Sequence, residues 1–253
     1  MRSFFLLTFA GILTLFSCQS LTAQTTQTVV RQEIVAIPME RRVINESTKF
    51  IDKRTGNPVS YQAYLELMRT DRQGYFLESI IDEYGKVSSY SIRPTTTEER
   101  ETRRFMPFDP ALRPKVGEPM PEFVMQGFDD KSYRLSTLKG RVVVLSFWAG
   151  LKPPTWNAKQ AAAFADALQP YQSEMGPVAL GVVRDSKEEV AAAMASQPIP
   201  FVAIPSAYNF SQKFHVTMWP SMFVINKAGN VVAYLAGRDA FEQLPKALEA
   251  ANR

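Results

Sequence analysis

The chain has 253 residues, of which 45% are hydrophobic and 21% are charged, a balance that can bury one substantial core and a smaller second one. This composition excludes a disordered or fibrous protein. The formal net charge is +4 and no run of Lys or Arg forms a basic patch, so the sequence does not predict binding to nucleic acid.

The first two dozen residues have the layout of a secretory signal peptide. Arg2 precedes an apolar stretch over residues 4–16, which is shorter than the roughly 20 residues that span a membrane. Two processing events stay open: cleavage after Ala23, or a lipoprotein signal that ends before a lipidated Cys18. Both predict an exported protein, in the periplasm or lipid-anchored to an envelope membrane. The signal or the anchor would be its only contact with a membrane.

Cys18 is the only cysteine of the chain. It either carries the lipid or leaves with the signal peptide (residues 1–23), so the mature fold is expected to hold no free thiol and no internal disulfide. A core of the size predicted here does not need disulfides for its stability.

Residues 24–106 predict a small α+β unit. A strand is expected over residues 28–37, and Ser60 is a good N-cap for the helix that follows it. Two further strands are predicted to join at Tyr84 and Gly85. This unit contains no recognisable catalytic motif.

A polar helix closes this unit. Its paired charges, Glu98 and Glu99 against Arg103 and Arg104, indicate a solvated helix face.

Four prolines then fall between residues 107 and 119, where they are incompatible with a helix interior or a central strand. This stretch predicts a linker or an ordered extended connection.

Residues 120–253 show a sharper pattern of alternating strands and helices. The stretches at 141–149 and 176–183 are continuous apolar runs, as expected for strands buried on both faces. Ser186 and Glu189 form a capping-box pattern at the start of a helix. The order of elements predicts an α/β domain with a central mixed sheet flanked by helices on both faces.

Four motifs occur together in residues 115–253: "VGEPMPEF", "LSTLKGRVVVLSFWA", "WPSMFVINKAGNVV" and Gly237. This series resembles the thioredoxin fold, in particular the TlpA-like branch of thiol-disulfide oxidoreductases and its redoxin relatives of the AhpC/TSA type. The resemblance implies a thioredoxin-like fold, and thiol-disulfide exchange or antioxidant activity.

In that family a Cys-x-x-Cys pair at a helix N-terminus follows the strand that ends in "FWA". The resemblance places Lys152 on the first cysteine, Pro153-Pro154 between them and Thr155 on the second. Disulfide exchange and peroxide reduction both need a thiolate, which neither residue supplies. The residues therefore argue against thiol redox chemistry, although the family suggests it.

Other chemistry at these positions has little support in the sequence. Lys152 is expected to be a solvated cation, with an anion contact or catalysis as open alternatives, and Thr155 is expected to be the helix N-cap. His215, the only histidine, is expected to end a short helix where a positive charge is tolerated. No ligand set for a metal and no cofactor site is predicted.

Aromatic residues are expected to dominate the former active site. Trp148 is expected in the core, whereas Trp219 precedes the proline that is cis in the family and adjoins a backbone edge that can pair with a peptide. Packing of Trp219 against Trp156 is the alternative. The predicted binding groove comprises Trp219, Pro220, Met218, Pro153, Pro154 and Trp156.

The function predicted from these features is binding of a protein or extended peptide in the envelope by a catalytically degenerate thioredoxin-like protein. The alternative is a thiol-disulfide oxidoreductase or antioxidant of the TlpA or AhpC/TSA type. A third possibility is that binding resides in residues 24–114, with the thioredoxin-like domain as a structural base.

Overall fold

The computed structural model describes residues 44–105 and 107–253. The signal sequence, Cys18 and the strand expected over residues 28–37 lie outside the described residues. Residues 44–253 form one compact unit. The boundaries predicted inside it, around 107–119, therefore stay predictions.

The described residues contain eleven β-strands and six α-helices. The strands are β1 (Phe50–Asp52), β2 (Pro58–Val59), β3 (Tyr75–Ile81), β4 (Val87–Pro94), β5 (Val124–Gln126), β6 (Ser132–Arg134), β7 (Val143–Phe147), β8 (Val178–Val182), β9 (Val202–Ile204), β10 (Ser221–Ile225) and β11 (Val231–Ala236). The helices are α1 (Tyr61–Thr70), α2 (Thr97–Thr102), α3 (Ala158–Leu168), α4 (Lys187–Ser196), α5 (Asn209–Lys213) and α6 (Ala240–Asn252).

A five-stranded mixed sheet forms the larger core, with strand order β11-β10-β7-β8-β9. β7, β8 and β9 are parallel, whereas β10 and β11 pair antiparallel. All five residues of β7 are buried, because strands lie on both sides of it and side chains cover both faces. The predicted central mixed sheet is confirmed.

Alternation along β7 assigns its side chains to two separate hydrophobic clusters. Val144 packs in one cluster with side chains of α3, α4 and α6. Val143, Leu145 and Phe147 pack in the other, with side chains of α5 and of the β5–β6 hairpin. Helices therefore cover both faces of the sheet, as the order of elements predicted.

The first part of the described chain forms a four-stranded sheet with order β2-β1-β4-β3, against which α1 packs. Its small core includes Phe50, whose ring stacks on Tyr64 with centroids 4.5 Å apart. The Ser60 side chain accepts the Ala63 N–H at 3.1 Å, so the predicted N-cap is confirmed. This is the α+β architecture expected before the proline-rich segment.

The β3–β4 turn packs against α5. Gly85 has φ +75°, and a Cβ at this position would lie 2.7 Å from the Phe210 ring, so the contact requires glycine. The Gly85 carbonyl accepts a hydrogen bond from Asn209 Nδ2 at 2.9 Å, and the Glu83 carbonyl accepts one from the Val124 N–H at 2.6 Å. These contacts join the first sheet to the larger core.

The proline-rich segment is an ordered connection in its described part. It contains a short 3₁₀ helix over Pro110–Leu112. Further on, the Gly117 N–H donates to the Val231 carbonyl at 2.8 Å and the Met120 N–H donates to the Gly229 carbonyl at 2.9 Å. Of the two alternatives for this stretch, the extended connection with its own hydrogen bonds agrees with the structure.

The solvated helix face expected around Glu98 and Glu99 is wrong for Glu99, which is buried. Its carboxylate binds the Arg93 guanidinium, which also contacts Glu78 Oε1 at 2.6 Å, and it completes a capping box with Thr96. The hydrogen bond from Arg93 lowers the pKa of Glu99 to about 2. The partner lies on β4, so the pattern within the helix could not show it.

We expect Glu99→Gln to lower the free energy of unfolding by about 2 kcal/mol at pH 7, because a charge-assisted hydrogen bond is lost. The folded pKa is lowered, so the stabilisation is complete above the unfolded pKa of about 4.3 and is lost as the pH falls towards 2. Urea unfolding at pH 7 and pH 3 measures the difference.

Glu98→Gln is the matched control, because Glu98 lies on the same helix but is exposed. Equal effects of the two substitutions at pH 7, or a Glu99→Gln effect that is unchanged at pH 3, would contradict the assignment.

Candidate functional site

The candidate site lies where β7 ends. Phe147 pairs with Val182 of β8 on one side and with Ser221 of β10 on the other. β7 and β8 are parallel while β10 is antiparallel, so the ends of β7 and β8 meet the start of β10 at one edge of the sheet. The segments after Phe147, after Val182 and before Ser221 therefore share this edge.

The loop after β7 ends in an exposed turn that contains Lys152, Pro153, Pro154 and Thr155. The Thr155 hydroxyl donates within the loop, to carbonyls that include that of Lys152 at 2.6 Å. The expected N-cap role of Thr155 is therefore wrong. α3 begins at Ala158, after an Asn157 side chain that accepts the Gln160 N–H at 3.1 Å.

Lys152 contacts an anion of its own chain. Its Nζ lies 2.9 Å from Glu189 Oε1, and the side chains are 60% and 48% exposed. The hydrogen bond to Glu189 raises the pKa of Lys152, so the amine stays protonated at neutral pH. Glu189 also completes the predicted capping box with Ser186, which is confirmed. A protonated amine in an exposed ion pair is not a nucleophile.

The three tryptophans are divided between the two faces of the sheet. Trp148 is in the core as predicted, and its ring meets the Trp156 ring with centroids 4.6 Å apart. Trp156 is 0% exposed, so its predicted place in a groove is wrong. Trp219 packs with the α5-side cluster instead, because it precedes β10 on the opposite face.

A surface of five residues remains at this edge, which we call the edge surface: Pro153, Pro154, Met218, Trp219 and Pro220. Met218 is 53% exposed, and the Trp219–Pro220 peptide is cis, as the family resemblance implied. The Met218 carbonyl accepts from the Ser221 hydroxyl and the Pro220 carbonyl accepts the Gly237 N–H. By contrast, the Trp219 backbone makes no hydrogen bond among the described residues.

Two residues at this edge escaped the sequence analysis, Arg184 and Tyr208. The Arg184 guanidinium lies 4.2 Å from the centroid of the Tyr208 ring and 5.1 Å from that of Trp219. Burial raises the pKa of Tyr208. The signal that could have found Arg184 is a charge directly after the apolar run at 176–183, at the carboxyl end of a buried strand.

His215 holds the proline-rich segment beside this edge. Its Nδ1 accepts the Asp109 N–H at 3.0 Å, and its carbonyl accepts a hydrogen bond from Arg113 Nε at 3.3 Å. Burial lowers the pKa of His215, which favours the neutral ring that accepts this hydrogen bond. The short helix α5 ends before it, at Lys213.

Other candidate features lie away from the edge surface. A cavity of about 430 Å³ lies beside α1 and is lined by residues that include Leu67, Tyr75 and Arg100. Within residues 44–105 and 107–253 there is no group of three or more metal-ligating side chains that could hold an ion. In the same part of the chain, no helix is long and apolar enough to cross a membrane.

The strand order, the helices on both faces and the proline loop before β10 define a protein of the thioredoxin fold. Residues 116–234 match the AhpC/TSA family. The chain is 28% identical over 134 residues to Thiol-disulfide oxidoreductase ResA of Bacillus cereus, which covers 51% of this chain and 75% of that protein. These findings support a thioredoxin-fold protein that is similar to the redoxin and TlpA-like proteins.

Two further similarities are of comparable extent. ResA of Bacillus subtilis is 29% identical over 122 residues, which are 48% of this chain and 67% of that protein. The crystal structure of peroxidoxin BcpB from Mycobacterium tuberculosis has a TM-score of 0.47 and 19% identity, and covers 56% of this chain and 100% of that one.

We expect the only histidine to titrate below its usual pKa of about 6.5, because burial disfavours the imidazolium. Its single ring Cε1–H resonance can be followed by NMR, and the Asp109 amide should shift with the same midpoint. The folded state resists protonation, so the free energy of unfolding should fall as the pH drops below about 6.5. A midpoint at or above 6.5 would contradict this structure.

Proposed function

We propose that this protein is an exported thioredoxin-fold protein that binds an extended protein or peptide segment at the edge surface and performs no thiol chemistry. The observation that carries the proposal is the backbone of Trp219, which makes no hydrogen bond to any residue that the structure describes and lies next to a largely exposed Met218.

An unpaired backbone beside the start of a strand can add an extended segment by main-chain hydrogen bonds. The Trp219 N–H and carbonyl supply one donor and one acceptor for this purpose. Met218 offers a flexible apolar side chain that adapts to different partners, and Pro153 and Pro154 are exposed at the same sheet edge. Main-chain pairing thus provides affinity, and the neighbouring side chains provide selectivity.

Loss of sulfur supports a binding role over catalysis. The chain has a single cysteine, Cys18, in the predicted signal region. At the positions that the resemblance assigns to the family cysteines, Lys152 is a protonated amine paired with Glu189, and the Thr155 hydroxyl donates to carbonyls of its own loop. Neither can attack a disulfide sulfur or a peroxide as a thiolate does.

Export is supported by the sequence of residues 1–23. An apolar stretch too short to span the membrane precedes two processing alternatives, cleavage after Ala23 and lipidation of Cys18. We propose that the folded domain acts in the periplasm or on an envelope membrane. Its partner is then an envelope protein or peptide.

The second candidate function is thiol-disulfide exchange or peroxide reduction, and the similarity to proteins named thiol-disulfide oxidoreductase favours it. A disulfide exchange cycle transfers two electrons between two pairs of sulfurs. This chain contains a single cysteine sulfur, so a partner would have to supply the remaining sulfurs of the exchange. That requirement makes exchange the weaker candidate.

We expect a photo-cross-linking amino acid at position 218 to capture a specific envelope protein or peptide, because Met218 is exposed beside the free Trp219 backbone. Position 175 is the matched control. Met175 is 66% exposed but precedes β8 at its amino end, at the opposite edge of the sheet. Cross-linked products are compared by mass spectrometry after capture in envelope extract.

A product formed at position 218 and absent at position 175 supports binding at the edge surface. The same products at both positions, or none at position 218, would exclude this surface as the binding site. A probe at Leu67 beside the α1 cavity then tests the first sheet in the same extract.

We expect the exported protein to reduce neither insulin disulfides nor hydrogen peroxide above the background of the thiol reductant, since no thiolate is available at the site. Cys18→Ser is the control for a contribution from the one cysteine. Turnover in either assay that survives this substitution would refute the proposal.

A further inference from the structure

Arg184 is a half-buried cation without a carboxylate partner among the described residues. It follows β8 by two residues, and its Nε is fully buried with no hydrogen-bond partner in the part of the chain that the structure describes. The guanidinium is held by two aromatic rings, those of Tyr208 and Trp219. Cation–π contacts fix the position of this charge but satisfy no N–H donor, so the interaction with the Tyr208 hydroxyl serves at most part of the guanidinium.

The polar atoms around Arg184 include another donor without a partner. The Trp219 Nε1–H is buried and has no hydrogen-bond partner among the described residues, whereas the buried Tyr208 hydroxyl interacts with Arg184 itself. An indole nitrogen only donates, and a guanidinium has five donors and no acceptor. The cluster of Arg184, Tyr208 and Trp219 therefore has an excess of donors, and the complementary group is an acceptor.

Other partly buried arginines of this chain have their acceptors. Arg93 binds Glu78 and Glu99, and Arg113 donates to the His215 carbonyl and to Thr217 Oγ1. The carboxylate next to Arg184 in the chain does not serve it. Asp185 accepts the Leu151 N–H at 3.0 Å, in the loop after β7.

This cluster adjoins the edge surface, because Trp219 belongs to both. Its backbone provides the proposed strand-addition position, while its ring lies 5.1 Å from the Arg184 guanidinium. An extended segment paired with the Trp219 backbone thus passes next to the guanidinium. A carboxylate suits the guanidinium best, because its two oxygens accept two parallel N–H donors.

We propose that Arg184 receives a carboxylate of the bound segment, so that the edge surface selects acidic peptides. This inference rests on the binding function proposed above. The carboxylate can come from an Asp or Glu side chain within the segment or from a chain terminus, since both present the same group.

The test uses full-length exported protein with the photo-cross-linker at position 218 and three random octapeptide libraries that lack other acidic residues. One library has a central Asp and capped ends, the second has Asn in its place, and the third has Asn with a free C-terminal carboxylate. We expect the Asp or the free-carboxylate library to give about tenfold more product than the capped Asn library. The preferred library identifies the source of the carboxylate.

Variants then assign the preference to Arg184. Arg184→Gln should reduce the cross-linking yield of the preferred carboxylate library to that of the capped Asn library. Arg184→Lys should keep part of the preference, because it retains the charge without the planar guanidinium. Arg238→Gln is the matched control. It removes an equal charge next to Gly237, whose N–H binds the Pro220 carbonyl at 2.8 Å, and it should keep the preference.

The outcomes separate the two proposals. Equal yields from all three libraries would overturn the carboxylate inference while the peptide-binding function stands. A preference lost equally in Arg184→Gln and Arg238→Gln would also overturn it, because general charge attraction then explains the selection. No product from any library would remove the peptide-binding function together with the inference. Melting temperatures show which variants are folded, and Arg184→Lys replaces Arg184→Gln if the latter unfolds.

Discussion

The pairing of β7 with β8 on one side and β10 on the other is the constraint on which the rest of the structure depends. All five residues of Val143–Phe147 are buried, so this strand must lie at the centre of a sheet covered on both faces. Its position brings three connections to one edge: the loop after Phe147, the residues after Val182 and the proline loop before Ser221. The candidate site is a consequence of that pairing and does not need sulfur to form.

The sheet edge that forms the candidate site is present in a chain whose only cysteine is Cys18. Lys152, which the resemblance places on the first family cysteine, forms an ion pair with Glu189, and α3 begins only at Ala158. An exposed ion pair adds little to stability. The donor cluster around Arg184 opposes folding, because its half-buried guanidinium has no carboxylate partner among the described residues. Such a feature is expected where binding, and not stability, determines the residues.

Local sequence patterns predicted the features that depend on neighbouring residues, namely buried strands and helix caps. The buried strands followed from apolar runs, and the caps at Ser60 and Ser186 followed from side chains that reach the first turn. The cap of α3 could not be assigned in the same way, because Thr155 and Asn157 are both capable and lie two residues apart. The loop geometry, in which Thr155 donates to carbonyls behind it, decides in favour of Asn157.

The sequence by itself determined the class of fold, the proline loop before β10 and the lack of cysteine at the site, because these follow from apolar periodicity, from motif spacing and from composition. Only the tertiary structure decided which aromatic residues are exposed and which charges are paired. Trp156 is buried against Trp148 on one face of the sheet, while Trp219 packs with the cluster on the other face and lies near Arg184. Contacts of this kind join residues that are distant in the chain. The sequence pattern around either residue does not indicate its distant partner, so such contacts could not be predicted from it.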